Sequence, residues 1–72
     1  MNFFEGTVLP IGFVDIEIAL KVVKEYSRMY PEDEYVPEIE KGSPENGFSV
    51  VINVPRDKYV NFDFAVMVVT GD

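Results

Sequence analysis

Six carboxylates fall within seventeen residues of this 72-residue chain: Glu32, Asp33, Glu34, Glu38, Glu40 and Glu45 lie between Pro31 and Gly47, with Lys41 as the lone base. Paired carboxylates can carry acid–base or glycosidic chemistry when burial drives their pKa values apart. They can also hold a hard cation through oxygen, but the Asp-x-Asp-x-Asp-Gly loop with its distal Glu is missing. Serine or cysteine nucleophiles activated by histidine are excluded, because the chain has no His and no Cys. The same absence removes disulfides and Cys/His zinc sites. No phosphate-cradling loop is present: Gly6 and Gly12 are the closest glycines outside the Gly42 to Gly47 loop, and no Gly-Lys-Ser/Thr follows them. The expectation is a protein that binds rather than catalyses, with no cofactor and no metal.

What the carboxylates could bind follows from charge. Thirteen acids against six bases give a net charge of -7, and six acids less Lys41 place -5 of it between Pro31 and Gly47. Direct binding to nucleic acid or to anionic membrane needs cationic surface and is not expected. A basic protein partner is. On an extended strand, Glu32, Glu34, Glu38 and Glu40 would project from one face at about 6.6 to 6.8 Å per two residues, with Asp33 and Glu45 at the ends. Such a row of anions could imitate the phosphates of a nucleic-acid strand and occupy the basic groove of a nucleic-acid-handling protein. The plainer explanation is that charge on an edge strand prevents edge-to-edge aggregation.

The elements that would position these residues read as follows. Residues 3 to 9 suit a short strand, with a turn at Pro10-Ile11-Gly12. A helix is predicted over about residues 15 to 30: Ile16, Ala19, Leu20, Val23, Ser27 and Tyr30 form one stripe, widened by Ile18, Val22, Tyr26 and Met29. Asp15 suits its N-cap, and Pro31 stops it. Tyr35, Pro37 and Ile39 alternate with the acids as a half-buried strand, which Pro37 makes an edge strand. After the turn-rich loop 41 to 47, Phe48, Val50, Ile52 and Val54 alternate with Ser49, Val51 and Asn53. A turn at Pro55-Arg56-Asp57 then leads into a last predicted strand, with Val60, Phe62, Phe64, Val66 and Val68 on one face. These two strands are expected to pair as a hairpin with even positions opposite even ones, for instance Ile52 against Val60 or Phe62, since a slip of one residue would bury Asn61 and Asp63.

The fold class expected is therefore α+β: a single domain over residues 1 to 72, in the order β-α-β-β-β, with a mainly antiparallel sheet and one helix packed on one face. A sheet covered by one helix leaves a face open. On it the apolar Val51, Ala65, Met67 and Val69 would stand beside Asn53, Tyr59, Asn61 and Asp63, a patch suited to a homodimer. Self-association would also help a chain of this size, which buries only about 60% of its unfolded surface when it folds alone.

The longest apolar run, Phe64 to Val69, is six residues, far short of a bilayer span. Met1 to Gly6 carries no basic segment, so the reading is soluble, untargeted and cytoplasmic. In type, a short, acidic α+β domain without Cys or His resembles the small inhibitor, antitoxin or immunity proteins of phages and mobile elements. That resemblance transfers no residues. It implies an inhibitor that occupies a basic groove, while the apolar face supports the alternative of a structural, self-assembling protein.

Overall fold

The computed structural model describes residues 7 to 71, so residues 3 to 6 of the first expected strand lie outside it. Within that range the chain runs β1 (Val8–Phe13), α1 (Ile16–Met29), β2 (Ile39–Lys41), β3 (Val50–Pro55) and α2 (Tyr59–Thr70), with single 3-10 turns at Pro44–Asn46 and Arg56–Lys58. The three strands form an antiparallel sheet in the order β1-β3-β2. Mixed α+β architecture is thus what the chain adopts, with two helices rather than one.

Asp15 caps α1 as its sequence position suggests, its Oδ1 accepting from the Glu17 N–H at 2.9 Å. The helix ends at Met29, and the Tyr30 N–H reaches back to the Tyr26 carbonyl just before Pro31. Its buried face is narrower than the apolar stripe: Ala19, Val22 and Tyr26 are fully covered, whereas Ile16 and Leu20 are exposed. Packing sets the face, and the stripe offered more apolar surface than the sheet and second helix can cover.

β3 is the central strand, and its even residues Val50, Ile52 and Val54 are buried. They meet Ala19, Val22 and Tyr26 of α1 and Phe62 and Ala65 of α2 in one core, so both helices cover the same face of the sheet. Phe48, expected on that even face, lies before the strand begins and instead rests over Gly12, where a Cβ would collide with its ring.

β1 runs straight through Pro10, where a turn was expected. The carbonyls of Thr7 and Phe13 accept from Arg56 N at 3.0 Å and Ser49 N at 2.9 Å, so the odd residues of β1 point their polar groups toward β3. Pro10, of the other parity, turns its missing donor away from the sheet, which an edge strand tolerates.

The larger correction concerns residues 59 to 70. The alternation predicts a strand paired with β3, but the segment is α2, and β3 pairs instead with β1 (Ile11 opposite Ile52) and β2 (Ile39 opposite Ile52). The same residues also satisfy a helical period. Phe62 and Ala65 are buried and Val66 and Val69 half-buried, at spacings of three, four and seven. Gly71 closes the helix with φ 82°, a left-handed cap whose N–H donates to Met67 O at 2.8 Å. No helix among the described residues is long and apolar enough to cross a membrane.

Candidate partner-binding site: an acidic cleft

Where Pro31 stops α1, the chain folds into a turn held by one side chain. Asp33 donates its own N–H to the Tyr30 carbonyl at 3.2 Å, and its carboxylate does the rest. Oδ1 accepts from the Tyr35 N–H at 2.9 Å, a local turn that aspartate favours. Oδ2 accepts from the Tyr26 hydroxyl at 2.8 Å. The Lys58 ammonium, from the turn after β3, lies 3.2 Å from Oδ1. Tyr35 is fastened at its far end as well, its hydroxyl donating to the Asn53 carbonyl at 3.0 Å.

Aromatic packing stiffens the same corner. The Tyr26 ring lies 4.9 Å from Tyr30, 5.7 Å from Tyr35 in an edge-on arrangement, and 6.3 Å from Phe62. The pKa values record these contacts. Asp33 is held below the ordinary carboxylate range, first by the Tyr35 N–H and then by the Tyr26 hydroxyl and Lys58, with partial burial opposing them. Burial, then the hydrogen bond to Asp33, pushes Tyr26 well above the usual phenol value. Tyr35 is pushed up to about 12 by burial and by the neighbouring Glu38 and Asp33 charges.

The consequence is an open cleft of about 770 Å³ lined by Tyr30, Glu32, Asp33, Glu34, Tyr35, Pro55, Asp57 and Lys58. Asp33 lies at its inner wall with its side chain only 8% exposed, while Glu32 and Glu34 on either side face water. Lys58 is engaged by Asp33, so Glu32, Glu34 and Asp57 give the cleft charge that it does not balance.

Glu32, Asp33 and Glu34 are therefore brought together, but Glu38, Glu40 and Glu45 are not part of the cleft. The strand that would have arrayed them is only Ile39–Lys41, so no even-spaced row forms from Glu32 to Glu40. Glu38 is exposed ahead of β2, and Glu45 is exposed in the 3-10 turn Pro44–Asn46. Glu40 projects from the face of the sheet turned away from the helices and accepts from the Asn53 side-chain amide. Nor do Val51, Ala65, Met67 and Val69 share a face. Val51 is on β3, Ala65 is fully buried between the helices, and Met67 is exposed on α2. Val69 lines a groove of about 280 Å³ with Lys21, Lys24, Glu25 and Arg28 of α1. Their predicted surface required a last strand, and a helical period disperses them.

Sequence reasoning missed Asp57, Lys58, Tyr30 and Tyr35 as members of the site. Asp33 does more than its place in an acidic run suggests, and the pair of tyrosines seven residues before and two after it was the available signal. Among the described residues, no group of three or more acidic side chains is placed to hold a metal ion, and no buried side-chain polar atom lacks a partner. Comparison with family models, curated proteins and solved structures finds no significant match to this chain.

Proposed function

We propose that the protein is a small acidic binding protein that inhibits a target by occupying a basic groove, of the kind that grips nucleic acid, through its acidic cleft. The observation that carries this reading is the unbalanced charge of the cleft: Lys58 is taken up by Asp33, and Glu32, Glu34 and Asp57 remain around it. An arginine of the partner would find carboxylates for charge-assisted hydrogen bonds and the Tyr30 and Tyr35 rings for contact with its guanidinium face. The rim is fixed in advance by the Asp33 bonds, so less ordering is needed on binding. Openness to water suits recognition better than acid–base chemistry, for which carboxylates need burial.

Clustered rather than rowed carboxylates change the proposed contact from a strand-like phosphate imitation to a socket for one or two cationic side chains. Glu38, Glu40 and Glu45 then contribute long-range attraction. The test is affinity capture from nuclease-treated lysate at graded salt, with wild type beside a Glu32→Lys/Glu34→Lys variant. Capture of a basic protein that weakens with salt and is lost in the variant supports the reading. Capture indifferent to both salt and the charge reversal sinks it.

A further inference from the structure

We infer that the protein pairs with a second copy of itself through the outer face of α2, crossing two α2 helices antiparallel at Phe64. Helix α2 is apolar on both sides. Phe62, Ala65, Val66 and Val69 face the core, while Val60 (63% exposed), Phe64 (50%), Met67 (40%) and Val68 (54%) face water. At 100° per residue the second set is centred opposite the first, a stripe at spacings of four, seven and eight. A contiguous run of exposed apolar side chains along one helix face is the kind of patch that marks an interaction surface.

Two features identify the occupant as another copy. Val60 and Val68 stand four residues on either side of Phe64, so an antiparallel crossing at Phe64 sets each Val60 against the partner's Val68 and each Phe64 against its mate. That is the self-complementarity a twofold interface requires. The charge distribution agrees. The cleft invites a basic partner, yet between Tyr59 and Thr70 the only charged residue is Asp63, so this stripe offers a basic partner almost nothing and lets two chains of net charge -7 meet along a helix that carries a single charge. A 12-residue helix is about 18 Å long, and two such helices with their flanking side chains approach the lower end of a specific interface, about 600 Å² per partner.

The measurement is the molar mass in solution across a concentration series, by light scattering and sedimentation. Wild type is expected to dimerise, Phe64→Glu to weaken the dimer by about 30-fold or more as loss of a central hot-spot side chain does, and Leu20→Glu, exposed on α1, to leave it intact. Because the chain has no cysteine, Phe64→Cys provides an independent reading: it should cross-link to itself under mild oxidation, whereas Leu20→Cys should not. A strict monomer overturns the inference, whether the stripe then stays bare or is covered by another part of the chain or by another protein. So does a dimer that persists in Phe64→Glu while Phe64→Cys fails to cross-link.

Discussion

The Tyr26 hydroxyl, from the buried face of α1, donates to the Asp33 carboxylate across 2.8 Å, and through that bond the hydrophobic core and the acidic cleft hold each other in place. Tyr26→Phe keeps the ring packing and removes one hydrogen bond to a charged acceptor, for an expected loss of about 1.5 to 2 kcal/mol in chemical denaturation. Asp33→Ala should cost more, because it leaves the Tyr26 hydroxyl, the Tyr35 N–H and Lys58 without their acceptor. Glu34→Ala, one residue away and exposed, should leave stability within about 0.5 kcal/mol of wild type. If Asp33→Ala proves as well tolerated as Glu34→Ala, the network does not hold the segment.

The same bonds set two limits on pH stability. Folding lowers the Asp33 pKa, so its contribution is complete above the unfolded value of about 4 and is lost as pH falls through the folded value. Folding raises the phenols, so their contribution is complete below the unfolded value of about 10 and is lost as pH rises. For Tyr35 that loss extends up to about 12. Denaturant midpoints measured from acid to alkaline pH should form a plateau between these limits. Tyr26→Phe should flatten the alkaline limb; an unchanged limb would show that Tyr26 ionises as freely in the fold as out of it.

Gly12 and Phe48 form a steric pair on the sheet face away from the helices. A Cβ at Gly12 would collide with the face of the Phe48 ring, although the Gly12 backbone is ordinary extended strand. Gly12→Ala should therefore destabilise by about 1 to 3 kcal/mol as overpacking does. In a Phe48→Ala background the same change should cost little, so a double-mutant cycle should report coupling. Additive effects would place the Phe48 ring elsewhere.

The cap of α2 gives a prediction that separates helix from strand over residues 59 to 70. With φ at 82°, Gly71 occupies the left-handed region, and Gly71→Ala should cost about 1 kcal/mol. Were these residues a strand, alanine would be neutral or better there. A variant as stable as wild type counts against the helix end.

What could be read without the structure was what local chemistry decides. Asp15, the apolar period and Pro31 delimit α1, and the alternation of Val50, Ile52 and Val54 marks the buried face of β3. Residues 59 to 69 were ambiguous because their apolar positions satisfy periods of two and of 3.6 at once. Their β-branched content favoured strand, while the length of the run and Gly71 favoured helix, and the contacts of Phe62 and Ala65 with α1 and β3 settle it. The cleft was half legible. Glu32, Asp33 and Glu34 announce themselves by charge, but Asp57 and Lys58 reach them only because β3 brings its far end beside the C-terminus of α1, a tertiary arrangement that no local pattern encodes.

The central claim, a socket for cationic side chains, is tested most directly by titrating an arginine-rich peptide into isotope-labelled protein and following backbone amide shifts at two salt concentrations. The account predicts saturable shifts centred on Tyr30, Glu32, Glu34 and Asp57, with affinity falling as salt rises. Binding that leaves those four amides unmoved, or that is indifferent to salt, would contradict it.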